Sequence, residues 1–233
     1  MNMIVIVPTR SRPEQCARLI KSFEETTDTA SLLFVIDGDD ESYEGFDWHG
    51  HRCAELNPRG SLTQKLNNTV KNIIDDYDEI MWQGDDNEFI TPHWDTRLLE
   101  AREEWGSGWL YPNNGRRSDV PESWTVSSDV VEAVGWYANP VLGHYYIDNS
   151  VAEIGKRAGL IRWVPDVQIR HHHYSVDPDA EYDDLYRETE KRFGGSDLQI
   201  YQQWQKSPQV TGIVSSLRRK FNPDVNWILS RVR

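Results

Sequence analysis

Apolar and polar positions divide the chain into short apolar runs separated by stretches of helical period. Residues 3–7 ("MIVIV") are continuous and β-branched, the pattern of a strand buried on both faces, and Pro8 ends the run. A helix starts near Pro13, a favoured first-turn residue, with Cys16, Ala17, Leu19, Ile20 and Phe23 on the helical period. "SLLFVIDGDD" (31–40) predicts a second buried strand ending in acids, and the alternating "HRCAELN" (51–57) a third. "SLTQKLNNTVKNIIDD" predicts a helix opened by a capping box of Ser61 and Gln64, with Leu62, Leu66, Val70, Ile73 and Ile74 on one face. "EIMW" (79–82) is the next strand. A helix capped by Thr91, with Pro92 at its first position, then leads to a strand at "SGWLYP" (107–112).

This order, β-α-β-β-α-β-α-β, predicts an α/β fold: a Rossmann-like, mostly parallel sheet flanked by helices. Ligands of such sheets bind outside the carboxyl ends of the strands. "PTRSR", "DGDD", "NPRGS" and "QGDDN" follow the first four strands in turn, so four polar clusters converge on one edge. Beyond residue 115 the pattern is less regular. It predicts a short helix behind a Ser128 cap, and another, "DNSVAEIGKRAG", with a capping box of Ser150 and Glu153. One or two strands end in "RHHHY", a helix at "AEYDDLYRETEKRFGG" is stopped by its glycines, and a last helix is capped by Ser196.

Composition narrows the class. With 38% hydrophobic and 27% charged residues among 233, the chain reads as globular. No apolar run reaches bilayer length and the start lacks a signal-peptide pattern, so a cytoplasmic protein without stable membrane insertion is expected. Cys16 and Cys53 are read as reduced core thiols. The net charge of −13 disfavours general binding to nucleic acid. Residues 206–233 run the other way, at about +5, and either touch a membrane surface, a nucleic acid or an acidic partner, or lie on the chain's own acidic body.

The candidate chemistry sits at the strand ends. Asp85 and Asp86 suit Mg²⁺ or Mn²⁺, which take carboxylate oxygens and substrate phosphates, although an ordinary turn also accounts for the pair. Arg10, Arg12, Arg59 and Lys65 supply cations for phosphate beside a helix start. On a strand, His171 and His173 share a face and His172 points away, which offers a metal one or two imidazoles. Asp148, before a helix, is either a general base or a cap. Ten tryptophans, with Trp105, Trp109, Trp124 and Trp136 flanking the later half, offer faces for stacking a sugar or a base.

Together "IVIVPTRSRP", "LLFVIDGDD", "PRGSLTQKLN" and "IMWQGDDNEF" resemble, in kind and order, nucleotide-sugar glycosyltransferases of the GT-A fold, most of all the small ones of bacteriophages and actinobacteria. The resemblance covers residues 1–112 well and thins towards 175. It implies a GT-A domain over 1–175, with a nucleotide-binding half (1–112) and an acceptor half (113–175), followed by a helical extension with a basic tail (176–233). It also implies roles: Pro8, Thr9, Arg10 and Arg12 lining the nucleotide pocket, Asp37 on the base or ribose, and Arg59 and Lys65 on the ribose or diphosphate. Asp85 and Asp86 stand for the family's Asp-x-Asp metal motif, but the sequence reads Gly84-Asp85-Asp86-Asn87. Either Asp86 is the ligand with Asp85 beside the ribose, or Asn87 replaces one acid. Asp148 matches the base of inverting members, and His173 or His171 a late metal-completing histidine. The implied partners are a nucleoside-diphosphate sugar, Mn²⁺ or Mg²⁺, and a hydroxyl acceptor on a modified DNA base, a protein or a glycan. The rivals are a nucleotidyltransferase, opposed by the glycine-free first turn, a binding protein with a decayed site, and a metal hydrolase on the histidines.

Overall fold

The computed structural model describes residues 1–56, 58–175 and 177–222. Its strands are β1 (Met3–Pro8), β2 (Ser31–Asp37), β3 (Arg52–Leu56), β4 (Glu79–Trp82), β5 (Asn87–Phe89), β6 (Trp109–Asn113), β7 (Trp124–Ser127) and β8 (Ile161–His171). Its helices are α1 (Pro13–Thr26), α2 (Leu62–Ile73), α3 (Trp94–Trp105), α4 (Ser128–Val134), α5 (Ile147–Ala158), α6 (Asp184–Thr189), α7 (Gly195–Gln205) and α8 (Pro208–Phe221). One eight-stranded sheet runs β3-β2-β1-β4-β7-β6-β8-β5. The pairs β1–β2, β2–β3, β1–β4 and β6–β8 are parallel, while β4–β7, β6–β7 and β5–β8 are antiparallel. The result is the expected α/β architecture, with an antiparallel seam at β7.

Strand β1 shows why the continuous apolar run was needed. Ile4 and Ile6 enter one core and Met3, Val5 and Val7 the other, so every residue is covered. On the second side lie α1, through Cys16, Leu19, Ile20 and Phe23, and α3, through Trp94 and Leu98. On the first lie α2, α4, α5 and α8, whose Val210, Val214 and Leu217 are buried. Arg218 donates to the Arg157 carbonyl and Lys220 Nζ to the Asp129 carbonyl, so this part of the basic tail lies on the body of the chain. The remainder, including Arg231 and Arg233, falls outside the described residues. None of the described helices is long and apolar enough to cross a membrane.

Several local expectations fail for identifiable reasons. Helix α3 begins at Trp94 behind a left-handed His93 (φ 60°), because Thr91 Oγ1 is taken by the Gln168 N–H instead of capping. Helix α5 begins at Ile147, one turn early. Ser150 lies inside it and donates to the Ile147 carbonyl, so its capping box with Glu153 does not form. Ser128 is inside α4 and donates to the Tyr77 carbonyl. Gly194 and Gly195 do not stop the late helix. A π-helical stretch, Glu190–Gly194, carries it into α7, leaving Ser196 no capping role. Cys53 is exposed, because β3 is an edge strand, whereas Cys16 is buried as expected. The Ser61–Gln64 capping box does form, and it fixes the start of α2.

Candidate active site

A cavity of about 360 Å³ opens at the carboxyl ends of β1, β2 and β4, within the range of small-molecule sites. Pro8, Thr9, Arg10, Arg12, Asp37, Arg59, Lys65, Asp85, Asp86, Asp148, His171 and His173 all line it. They come from loops up to about 160 residues apart in sequence, brought to one rim by the parallel strands.

At one end stands Asp37, the last residue of β2 and 1% exposed. Its Oδ2 meets Lys65 Nζ at 2.9 Å, Arg10 Nη1 at 3.2 Å and Arg59 Nε at 3.8 Å. Its buried Oδ1 has no protein partner. Lys65 reaches this point from the first turn of α2, which the Ser61 cap anchors. Burial lowers the Lys65 ammonium, against the pull of Asp37. Arg10 also bonds Asp39 at 2.7 Å, and Arg59 bonds Glu188 at 2.9 Å.

The acid pair after β4 divides its work. Asp85 turns inward: its Oδ2 accepts from Thr9 Oγ1 at 2.6 Å and its Oδ1 from Arg12 Nη1 at 2.9 Å. Burial pushes its carboxyl up, and Arg12 opposes this. Asp86 turns to the far wall, where Oδ1 lies 3.4 Å from His171 Nε2. Burial would raise Asp86, but His171 and Arg12 hold it well below the usual range. Gly84 permits this turn, since a Cβ there would meet Asp86 Oδ1 at 2.6 Å. Asn87 also lines the cavity; its Nδ2 donates to Gln83 Oε1, and its buried Oδ1 has no protein partner.

His171 ends β8. Burial lowers its imidazole, but Asp86 and Glu122 outweigh that and push it up to about 9. Glu122 Oε2 accepts from His171 Nδ1 at 3.1 Å, so each carboxylate takes one ring nitrogen. His173 stays on the cavity side, its ring 5.3 Å from that of His171, while Nδ1 pairs with Ser175 Oγ at 2.8 Å. Burial, with Arg116 and His171 nearby, pushes His173 down to about 4. His172 points away, as the alternation requires, and bonds Glu88 and Asp177. Asp148 lies in the first turn of α5, behind a left-handed Tyr146 (φ 63°). Its Oδ1 accepts the Asn149 N–H at 2.8 Å, and burial, then Glu122, pushes its carboxyl up to about 6.

The donor set suits a divalent cation in part. Asp86 Oδ1 and His171 Nε2 face each other, and Glu122 holds the other ring nitrogen, the arrangement that orients metal-bound imidazoles. Among the described residues no three His, Cys, Asp or Glu side chains form a metal cluster. Such a pair fits Mg²⁺ or Mn²⁺ completed by substrate phosphate oxygens rather than a cation caged by protein alone.

Sequence reasoning missed Glu122 and the late segment. Asp183 bonds Arg12 Nε at 2.8 Å, Tyr186 OH donates to Asp86 Oδ2 at 2.6 Å, and Glu188 meets Arg59. No local pattern marked them, because their partners lie far away along the chain. A different kind of miss concerns the tryptophans. Trp109 and Trp124 are core residues, and none of Trp105, Trp109, Trp124 and Trp136 lines the cavity, which Trp82 does.

No family model matches the chain, and no curated protein does. Solved structures do. The mannosyltransferase PcManGT from Pyrobaculum calidifontis, in complex with GDP-Man and Mn²⁺, is similar at a TM-score of 0.66 and 12% identity, over 92% of this chain and 68% of that one. TarS 1–349 from S. aureus, in complex with UDP, is similar at 0.58 and 14% identity, over 73% and 60%. The chain spans only 36% of the longer TarS structure. CMP:2-keto-3-deoxy-manno-octonic acid synthetase, complexed with CTP, is similar at 0.50 and 10% identity, over 72% and 90%. The fold is therefore the GT-A fold, which glycosyltransferases share with some nucleotidyltransferases.

Proposed function

We propose that the protein moves a glycosyl group from a nucleoside-diphosphate sugar to an acceptor hydroxyl, with inversion at the anomeric carbon. One observation carries this reading: a single cavity holds a cation-rich end at Asp37 and an acid-rich end at Asp86, Glu122 and Asp148. The cation-rich end suits a nucleotide, with the unpartnered Asp37 Oδ1 available to a base or ribose donor. Arg10, Arg59 and Lys65 attract the diphosphate. Asp148, half-buried and raised to about 6, is ionised at neutral pH yet basic enough to accept a proton.

In this scheme the acceptor oxygen attacks the anomeric carbon while Asp148 takes its proton. The bond from that carbon to the diphosphate oxygen breaks, and its electron pair leaves with the nucleoside diphosphate. Arginine and lysine charge stabilises the departing group. Asp86 and His171 would hold Mn²⁺ or Mg²⁺, which when bound neutralises charge on the diphosphate. His173, tied to Ser175, stands beside the pair.

Incubating the protein with UDP-, GDP- and dTDP-sugars and Mn²⁺ tests the reading, with release of nucleoside diphosphate as the expected result. Formation of a nucleoside triphosphate from pyrophosphate would favour the nucleotidyltransferase reading, which the likeness to the CTP-bound synthetase keeps in view. Binding without turnover would indicate a decayed site. Acceptors on glycans, proteins and hydroxymethylated DNA are compared in the same assay.

A further inference from the structure

The late segment, for which the sequence offered no role, reaches into the cavity at a specific atom. Asp86 has two carboxylate oxygens with different neighbours. Oδ1 faces His171 Nε2 at 3.4 Å, while Oδ2 accepts from Tyr186 OH at 2.6 Å. His171 shows the same division, with Nε2 towards Asp86 and Nδ1 held by Glu122 at 3.1 Å. Each outward atom is thus fixed by a partner, and the two remaining atoms point at one another.

Tyr186 is itself held firmly. Asp183 caps α6, accepting the Tyr186 N–H at 2.9 Å, and bonds Arg12 Nε at 2.8 Å. The Arg12 guanidinium lies over the Tyr186 ring, 4.4 Å from its centroid. Arg12 in turn grips Asp85 at 2.9 Å, next to Asp86 in the chain. The ring is therefore clamped to the very loop whose carboxylate its hydroxyl bonds.

We infer that Tyr186 is a positioning residue, which fixes Asp86 through Oδ2 so that Oδ1 is presented to a divalent cation, as Glu122 fixes His171 from the other side. The inference rests on the cation site proposed above and assigns the residues beyond 176 a part in building it. Outer partners of this kind typically change metal affinity about 10–100-fold when removed.

The test is Tyr186→Phe, which keeps the ring over Arg12 and removes only the hydroxyl. Mn²⁺ affinity of the full chain is measured by electron paramagnetic resonance of free Mn²⁺ in the presence of UDP or GDP. Affinity for the same nucleotide is measured by calorimetry in EDTA. The expected result is Mn²⁺ binding about tenfold weaker, with metal-free nucleotide affinity and thermal midpoint unchanged. Tyr186→Ala, which also frees Arg12, should weaken both Mn²⁺ and nucleotide. Wild-type affinity for Mn²⁺ in Tyr186→Phe overturns the inference and leaves the cation site standing. Tighter Mn²⁺ binding also overturns it, showing that the hydroxyl competes with the cation. A wild-type chain that binds nucleotide but no Mn²⁺ overturns both the inference and the cation site.

Discussion

At one end of the cavity Asp37 is a single buried carboxylate facing Arg10, Arg59 and Lys65. At the other, Asp86 and Glu122 share one histidine, and Asp148 lies close enough for Glu122 to raise it. The materials are alike and the arrangement differs. At the first end Arg10 and Arg59 keep the exposed Asp39 and Glu188 as further partners, which an incoming anion would replace. At the second, Arg116 lies on Glu122 and Arg12 beside Asp86, while Asp148 accepts a backbone N–H and is the carboxylate placed to take a proton. In the proposed reaction this arrangement would give a donor one direction in which to lie, with its nucleotide at Asp37 and its reacting carbon near Asp148.

Four substitutions probe this contrast. Asp86→Ala should have the largest effect, lowering Mn²⁺-dependent release of nucleoside diphosphate by about 10³-fold or more, and it should also lower the thermal midpoint, because His171 and Arg12 lose a buried partner. Retained turnover would remove the cation from the acid-rich end. Asp148→Asn should lower transfer by about 10²–10⁴-fold with donor affinity intact. Collapse of donor affinity would make Asp148 a donor contact instead.

The pH behaviour of Asp148 sharpens that prediction. Its carboxyl is raised to about 6, so the ionised base, and with it wild-type transfer, should fade as pH falls through 6. Stability moves the other way. Between its unfolded value and about 6 the folded chain binds the proton more tightly, so this group's contribution declines as pH rises through that window. Asp148→Asn should therefore be more stable than wild type at pH 7, by up to about 3 kcal/mol, and not at pH 4. Thermal unfolding at both pH values checks the sign.

Smaller effects belong to the cationic end. Arg59→Ala should weaken nucleoside diphosphate binding about tenfold, or ~1.4 kcal/mol, more at low salt than at high. Glu188→Gln frees Arg59 from an exposed pair and should tighten binding about twofold, the smallest change. If Glu188→Gln weakens binding, Glu188 contacts the ligand and the cationic end is less anion-receptive than its charges indicate.

The two ends also differ in how far they could be read beforehand. Arg10, Asp37, Arg59 and Lys65 follow or flank elements whose apolar periods are strong, so the topology alone predicted where they would meet. The acid-rich end depends on longer-range placement. Asp86 was legible from its strand, and His171 from the alternation along β8. Glu122 arrives just before β7, a four-residue strand whose Thr125 and Ser127 are buried and which therefore lacks an apolar signature. Burial of Thr125 is satisfied by its bond to the buried Glu79 at 2.8 Å, a partner 46 residues away. Tyr186 lies in a segment rich in charge, where the informative fact is a hydroxyl meeting a carboxylate 100 residues earlier. Helix boundaries failed where side chains that resemble caps, Thr91 and Ser150, found other partners.

The burial of Val210, Val214 and Leu217 in the core shared with α4 and α5 makes this chain hard to shorten. Cut behind the histidines, it would bare an oily furrow along α4 and α5 and invite clumping before any loss of chemistry could be measured. Anyone grafting the cavity onto another scaffold must carry the late helices along, or else redesign the greasy surface they leave behind.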